Sequence, residues 1–266
     1  MNIKRLQNEI TLFNSNLHIH TRFSACADRD MTVANIIARA QSANLKIIAL
    51  VDHHHPGAGL LDNILCLKSD LLKIAPEIKV VFGAELSAYG IGKYSDTKEM
   101  NRELDYRLYA CTHYNLDCWE QPQDTSPRGY ARHMLAVVAE LIKSGRADCI
   151  AHPFASAYLK GKFNDPTVAT KAITDTELCG ILKMGKERKV AWEINANVLG
   201  RDADFRRRYL AFGKRLGVTF YLGTDAHKLD EIDTRRFLAD ESVAKLLAEP
   251  PARVPSSLGN HHKGVL

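Results

Sequence analysis

Several features are missing from this 266-residue sequence, and each absence excludes a class of protein. No apolar run approaches the roughly 18 residues that a membrane span requires, and the opening segment MNIKRLQNEI lacks the apolar stretch of a signal peptide. The six cysteines form no C-x-x-C pair, which argues against a zinc knuckle and against a disulfide framework. No linker rich in proline, glycine or serine divides the chain. We therefore expect a cytoplasmic protein with no membrane contact and a single domain over residues 1–266, with a core over about 16–248 and an extended tail over 249–266.

Charge of one sign is not concentrated anywhere in the sequence either. The formal net charge is +5, with 25% charged and 45% hydrophobic residues, a balance typical of a folded globular protein. A nucleic-acid channel would need a dense basic stripe interleaved with aromatic side chains, and the sequence has none. The mild positive charge suits a small anionic substrate, and nothing in the sequence indicates an oligomeric state.

Short runs of β-branched and apolar residues recur along the chain and alternate with segments of helical periodicity. Val33, Ile36 and Ala40, for example, share one helical face after Thr32, a residue type that caps helix N-termini. The segment 87–105 has no clear period and is predicted to be a loop. The alternation predicts an α/β fold in which parallel strands are joined by right-handed helical crossovers. There are seven predicted strands, at 16–20, 46–53, 79–85, 107–113, 148–152, 190–195 and 218–225.

Histidine is the residue type in excess, with 11 histidines against 9 prolines. Most of them stand at or just after the end of a predicted strand, together with carboxylate residues. In a parallel α/β barrel all such strand ends lie on one face, so residues distant in sequence converge. A single polar strand end is more often an ordinary hydrogen-bonded terminus, but imidazole or carboxylate recurs at the ends of six of the seven predicted strands. The residues concerned are His18, His20, Asp52, His53, Glu85, His113, His152, Asp225 and His227.

This number of nitrogen and oxygen donors exceeds what one tetrahedral zinc ion needs, so the pattern predicts two or three closely spaced divalent cations. Such cations share a bridging hydroxide, lower its pKa toward neutrality and bind the oxygens of an in-line phosphoryl displacement. Hydrolysis of a phosphate ester is therefore the favoured reaction, and amide or C–N hydrolysis of the amidohydrolase kind is the second. A phosphate dianion also needs cationic side chains, and Arg201, Lys160 and Lys162 follow predicted strands at suitable places.

Five motifs resemble, in order, those of the polymerase and histidinol phosphatase (PHP) superfamily: LHIHT at 17–21, VDH at 51–53, GAE at 83–85, AHP at 151–153 and GTDAH at 223–227. The resemblance extends from about Asn16 to Leu247. It implies a distorted seven-stranded (β/α)7 TIM-like barrel and a trinuclear site of zinc, manganese, iron or magnesium with phosphoesterase activity. Members of the superfamily act on histidinol phosphate, nucleotides or short oligonucleotides, or serve as polymerase proofreading modules. The substrate implied is a phosphorylated small molecule or a nucleotide, and the leaving group stays open.

The resemblance also implies how ligands are shared among three cations. Two histidines of the first strand and two carboxylates would hold one cation. A second cation would share one of these carboxylates with two further histidines, and a third would be held by two histidines and a loop residue. These sets are His18, His20, Glu85 and Asp225; then Glu85, His113 and His152; then His53, His227 and a residue of the loop after His20.

The loop after His20 departs from the superfamily pattern, which commonly has histidine or aspartate there. Cys26 stands at the expected offset, and Asp28 follows two residues later. A thiolate would favour zinc at this position, whereas a carboxylate would suit iron, manganese or magnesium. Both alternatives stay open at the level of sequence.

Five other residues also have predicted roles or positions. Arg201 resembles the phosphate-binding arginine of the histidinol phosphatase branch, and Lys160 lies where that branch has a second cationic contact. His54 is either a general acid that protonates the leaving alcohol or a solvated loop residue. Asp52 is expected to orient a neighbouring ligand as a hydrogen-bond acceptor, and His133 to lie on the surface of its helix.

Two other functions compete with a small-molecule phosphatase. A nuclease or oligonucleotide phosphodiesterase would use the same cations, but the missing basic stripe counts against it. A catalytically silent metal-binding PHP module would be expected to have lost ligands, whereas most positions are filled here. We therefore predict a PHP-type hydrolase that cleaves a phosphate monoester of a small molecule or nucleotide, with a metal-bridging hydroxide as nucleophile.

Overall fold

The computed structural model describes residues 1–54, 61–195 and 200–235 of the chain. Seven parallel strands follow one another in chain order around a barrel, and one short extra strand forms a hairpin with the third. The parallel order is β1-β2-β3-β5-β6-β7-β8, and β4 pairs with β3. The strands are β1 (Ser15–Ile19), β2 (Ile47–His54), β3 (Lys79–Gly90), β4 (Lys93–Tyr94), β5 (Tyr106–Ala110), β6 (Cys149–Ile150), β7 (Ala191–Asn195) and β8 (Phe220–Gly223).

The first and last strands meet and nearly close the barrel. Ile19 and Ala226 form a parallel bridge, the His20 amide donates to the Ala226 carbonyl at 2.9 Å, and the Ala226 amide donates to the His18 carbonyl at 3.2 Å. Closure of the ring leaves little free sheet edge. The prediction of a distorted seven-stranded (β/α)7 TIM-like barrel is therefore confirmed.

Helices cover the outside of the barrel, and side-chain caps fix where several of them begin. Thr32 accepts a hydrogen bond from the Asn35 amide at the start of the second helix, as its residue type predicts. No helix among the described residues has the length and apolar composition that a membrane span needs. The helices are α1 (Ile3–Leu6), α2 (Val33–Ser42), α3 (Leu61–Leu72), α4 (Lys98–Glu103), α5 (Pro127–Ser144), α6 (Val168–Lys171), α7 (Asp175–Glu187) and α8 (Ala203–Leu216), with short 3-10 turns at Ser156–Leu159 and Leu229–Ile232.

The core has two layers, one between strands and helices and one inside the barrel. Alternation along β2 shows the division: Ile47, Ala49 and Val51 point inward, whereas Ile48 and Leu50 pack beneath the helices. At the amino ends of the strands, α1 adds Ile3 and Leu6 to the inner layer and so fills that end with apolar side chains. The amino end of the interior is therefore a mainly apolar core.

The prediction of a loop over 87–105 is wrong. Strand β3 continues to Gly90, turns at Gly92, where φ is +69°, and pairs with β4, and α4 follows from a Thr97 cap. The Glu120 amide also donates to the Tyr89 carbonyl at 2.7 Å. Residues later in the chain therefore cover this extension of β3, which is buried almost throughout and so lacks the alternation of polar and apolar residues typical of a half-exposed strand. The predicted tail over 249–266, and the last part of the predicted core, lie outside the described residues.

Candidate metal centre

Side chains from six of the parallel strands or their following loops meet at the carboxyl end of the barrel. Strand alternation explains several of them, because His53 continues the inward row of β2 and Glu85 continues the row of Val81 and Gly83 on β3. In β1, a register shift between Asn16 and Ile19 accompanies the change from apolar core to polar site. The side chains brought together are His18, His20, His53, Glu85, His113, His152, Asp225 and His227.

The first group joins His18 of β1 and His20, just after β1, to two carboxylates. The Nε2 atoms of His18 and His20 lie 3.1 Å apart, and each is within 3.2 Å of Asp225 Oδ1. Glu85 Oε2 lies 3.6 and 3.5 Å from the same two nitrogens. Donors that surround one cation tetrahedrally at about 2.0–2.2 Å are about 3.3 Å from one another. The spacing of this group therefore fits a single transition-metal ion.

The second group shares Glu85 with two histidines from later strands. His152 Nε2 lies 2.8 Å from Glu85 Oε1, and the rings of His113 and His152 are 5.0 Å apart. His152 has φ +26°, and Asp225 of the first group has φ +56°, a backbone region that few non-glycine residues adopt. Such backbone strain is characteristic of functional sites, where the surrounding fold holds a residue in position.

The third group consists of His20, His53 and His227. The Nε2 atoms of His53 and His227 lie 3.5 Å apart, and the His227 ring stacks on that of His20 at 4.2 Å. His53 Nδ1 also approaches Glu85 Oε2 to 2.6 Å. His20 and Glu85 therefore connect all three groups, because His20 belongs to the first and third, and Glu85 to the first and second.

His113 provides a test of whether these residues suit a cation. Its side chain is buried, yet neither ring nitrogen has a hydrogen-bond partner among the described residues. An unpaired buried polar group destabilises a protein, and native structures rarely leave one without a partner. Burial, helped by His152, lowers the pKa of His113 to about 3, so the ring is neutral and a nitrogen lone pair is available to a cation. The donor set therefore fits a bound metal.

Glu85 and His53 shift each other's pKa through their opposite charges. Burial alone would raise the pKa of Glu85, but the charges of His53 and His18 hold it well below its usual range. Burial would also lower the pKa of His53, whereas Glu85 and Cys26 raise it to about 10. Glu85 is thus an anion with several competing cationic neighbours, as expected of a group that would bridge two metal ions.

Hydrogen bonds outside the three groups orient His20. Its Nδ1 lies 3.1 Å from Ser24 Oγ, which donates to Asp52 Oδ1 at 2.7 Å. Asp52 is held in turn by the amide and hydroxyl of Thr21, at 2.7 and 2.6 Å. Asp52 therefore stands behind His20 as an acceptor, and acts on it through a serine hydroxyl.

Glu193 was missed by the sequence analysis. It lies inside β7, buried, with Oε1 2.7 Å from His18 Nδ1. The strand-end pattern did not include it, because Glu193 lies two residues before Asn195, the end of the strand. The sequence signal that could have identified Glu193 is a carboxylate among the inward-facing residues of a buried strand.

Cys26 and Asp28 occupy different places around the third group. Hydrogen bonds with His227 and His53 overcome the effect of burial and lower the pKa of Cys26 to about 6, so its sulfur faces both histidines. Asp28 is exposed, and its backbone amide donates to the His227 carbonyl at 2.9 Å. Among the described residues, the structure therefore brings the Cys26 side chain to this group.

A cavity of about 550 Å³ opens over the metal-ligating groups. Phe23, Leu116 and Tyr158 line it together with Cys26 and several of the histidines. Burial and the charges of Asp225 and Glu85 raise the pKa of Tyr158, and the positive charge of Arg201 opposes this shift. The hydroxyl of Tyr158 is therefore protonated at neutral pH.

The two residues predicted to bind phosphate and the one predicted to act as a general acid lie in different surroundings. Arg201 is exposed and close enough to affect Tyr158 electrostatically, whereas Lys160 is exposed just after the turn Ser156–Leu159. His54 is not brought into the cluster: it follows the outward row of β2, and its Nε2 lies 3.2 Å from the Ser95 carbonyl oxygen.

The prediction that His133 lies at the surface is wrong. It is buried on α5, with Nδ1 2.8 Å from the Tyr114 hydroxyl and Nε2 3.2 Å from Glu120 Oε1. The segment after β5 covers this part of the helix, which a helical pattern read alone does not reveal. His133 therefore belongs to a hydrogen-bond network with Tyr114 and Glu120.

No protein-family model matches the chain. The chain is similar to a protein of Aliivibrio fischeri named "probable phosphatase", with 25% identity over 224 residues, 80% of this chain and 78% of the relative. A protein of Vibrio parahaemolyticus with the same type of name is 26% identical over 223 residues, again 80% of this chain and 78% of the relative.

Two solved structures have a similar fold. Histidinol phosphate phosphatase from Lactococcus lactis, complexed with zinc, L-histidinol and phosphate, gives a TM-score of 0.64 at 17% identity, over 91% of this chain and 97% of that chain. HisK from Listeria monocytogenes gives 0.62 at 15% identity, over 86% and 99%. At these identities the comparison establishes a shared barrel fold, and chemistry must be argued from the site.

Proposed function

We propose that the chain is a metal-dependent phosphoesterase of the PHP superfamily that hydrolyses a phosphate monoester at a trinuclear site. The observation that carries the proposal is the sharing of Glu85 and His20 among three donor groups, which would place three cations next to one another. The sequence relatives named as phosphatases, and the fold shared with histidinol phosphate phosphatase, support the reaction class.

The three groups would hold the cations with neutral imidazoles and ionised carboxylates. When bound, divalent cations at this site would activate water for attack on phosphorus and neutralise charge on the phosphoryl oxygens. Arg201 would bind the remaining phosphoryl oxygens, since a guanidinium pairs with phosphate in a bidentate manner. Its exposure at the rim of the site leaves it accessible to an incoming anion.

The leaving group would occupy the cavity beside Phe23, Leu116 and Tyr158. A volume of about 550 Å³ is in the range of pockets that take a metabolite or a nucleoside-sized group. The protonated hydroxyl of Tyr158 offers a hydrogen-bond donor on this side. We therefore place the substrate among phosphorylated small molecules and nucleotides.

Cys26 would complete the third group, and a thiolate there would favour zinc. Its hydrogen bonds to His53 and His227 support this choice over Asp28. The substitution Cys26→Asp should shift the preference of one site from zinc toward manganese, as measured by competition between the two ions. An unchanged preference would leave Cys26 without a ligand role.

The test uses purified full-length protein. We expect at least two metals per chain by elemental analysis, and hydrolysis of phosphomonoesters that a chelator abolishes and added metal restores. The panel should include sugar phosphates, amino-alcohol phosphates, nucleotides and short oligonucleotides. Fewer than two metals per fully loaded chain, together with no chelator-sensitive phosphatase, would refute the proposal. Faster cleavage of oligonucleotides than of every monoester would favour the nuclease.

A further inference from the structure

Glu193 is a buried carboxylate that the reaction outlined above does not use. Its side chain is 2% exposed, and its one ion-pair partner among the described residues is His18. A carboxylate that is removed from water without a lysine or arginine beside it destabilises the fold unless hydrogen bonds satisfy its oxygens. The contacts of those oxygens therefore indicate why a carboxylate side chain stands there.

The two oxygens of Glu193 contact two different donor groups. Oε1 accepts from His18 Nδ1 at 2.7 Å, and His18 belongs to the first group. Oε2 accepts from the backbone amide of His152, a member of the second group, and lies 3.3 Å from Asn195 Nδ2. One carboxylate thus connects a ligand ring to the backbone of another ligand.

Glu85 contacts the same two histidines from the other side. Its Oε2 lies 3.6 Å from His18 Nε2, and its Oε1 lies 2.8 Å from His152 Nε2. With Nδ1 donating to Glu193, His18 would offer the lone pair of Nε2 to a cation held between Asp225 and Glu85. The bond from the His152 amide likewise fixes a residue whose φ of +26° needs support from its surroundings.

Gly223 makes the space that this arrangement needs. A Cβ atom at position 223 would overlap Oε1 of Glu193 and would also press on Cβ of His18. The φ of Gly223 does not lie in the left-handed region, so the close approach of these two side chains is what requires glycine here. The sequence of β8 is thus adapted to the contact between Glu193 and His18.

We propose that Glu193 is a positioning residue that fixes His18 and His152 relative to one another, and thereby holds the first two donor groups in the arrangement that would bind metal. The inference rests on the proposed metal centre. Without the carboxylate, the His18 ring would lose its fixed tautomer, and the backbone at His152 would lose its acceptor. Both groups would then bind metal less tightly, and binding at one group would have less effect on binding at the other.

The test compares Glu193→Gln with Asp148→Asn, using zinc alone as the probe. Asp148 is a similarly buried carboxylate, but it binds Arg107 at the other end of the barrel. Competition with a chromophoric chelator should show that E193Q weakens at least one zinc site by about 10- to 100-fold. D148N should lower the Tm and leave zinc affinity within about threefold of wild type. A folded E193Q that binds zinc as wild type does would overturn the proposal.

Two further measurements decide the matter if E193Q does not fold. In zinc-loaded wild-type protein labelled at histidine nitrogens, NMR should show a proton on Nδ1 of His18 and none on Nε2, and the opposite tautomer would overturn the proposal. Gly223→Ala should weaken zinc binding like E193Q, although it removes no charge, and unchanged binding would contradict the packing argument. Wild-type protein that binds no zinc would instead refute the metal centre as a whole.

Discussion

The two ends of the barrel differ in what they bury. At the amino end, Ile3 and Leu6 fill the interior, and the pair Arg107 and Asp148 satisfies both carboxylate oxygens at 2.8 and 2.6 Å. At the carboxyl end, imidazoles and carboxylates are buried, and His113 has no hydrogen-bond partner among the described residues. The amino end therefore stabilises the fold, whereas the carboxyl end gathers the donors of the proposed metal centre, which bound cations would stabilise.

The largest difference in activity between the two ends should appear when one buried carboxylate at each end is replaced by its amide. Glu85→Gln removes the shared anion of the first two groups, so metal content should fall and kcat/KM for a phosphomonoester should drop by at least about 10³-fold. Elemental analysis and steady-state kinetics check both effects. The matched change Asp148→Asn should preserve activity and lower the free energy of unfolding by about 3 kcal/mol. Equal activity losses in the two variants would remove the distinction between the ends.

A purely apolar change at the amino end should affect stability alone. Leu6→Ala leaves a cavity in the inner layer and should lower the free energy of unfolding by about 2–4 kcal/mol. Denaturant unfolding measures this loss, and metal content and kcat at a temperature below the transition should stay at the wild-type values. A loss of metal from this variant would show that the two ends are coupled.

Arg201→Ala tests how phosphate is bound at the rim of the carboxyl end. A lost charge-assisted contact of about 1.5–3 kcal/mol corresponds to a roughly 10- to 100-fold rise in KM for a phosphorylated substrate. Metal content should not change, because the guanidinium of Arg201 has no lone pair with which to bind a metal ion. Loss of metal in this variant would mean that the residue supports the site in another way.

The smallest effect is expected at His54, which is adjacent to His53 in sequence but follows the outward row of β2. His54→Gln should change kcat by less than about threefold, because the side chain contacts Ser95 and not the cluster. General acids commonly contribute about 10²- to 10⁴-fold, so a loss of that size would support the role that the sequence suggests for His54. Measurement of kcat against pH for the wild type and the variant distinguishes the two outcomes.

Much of the site could be predicted from sequence because its residues follow a rule of the fold. Parallel strands put their carboxyl ends on one face, so His18, Glu85 and Asp225 could be grouped although they are far apart in the chain. The strand count and the parallel α/β fold followed from alternating apolar runs and helical periods, and the resemblance of the motifs implied the barrel. Both signals are local, and each is repeated several times.

What could not be predicted depends on neighbours from other elements. Glu193 lies within a strand, and its role requires His18 and the backbone of His152 beside it. His133 lies at the flank of the apolar face of α5, and the segment carrying Tyr114 and Glu120 covers it there. The pattern of a single helix or strand contains no information about such contacts with other elements.

Anomalous diffraction from crystals grown with zinc tests the central claim most directly. We predict two or three peaks at the carboxyl end, one among His18, His20, Glu85 and Asp225 and another among Glu85, His113 and His152, about 3.5–4 Å apart. A single peak, or peaks only at surface residues such as the exposed Cys66, would contradict the account.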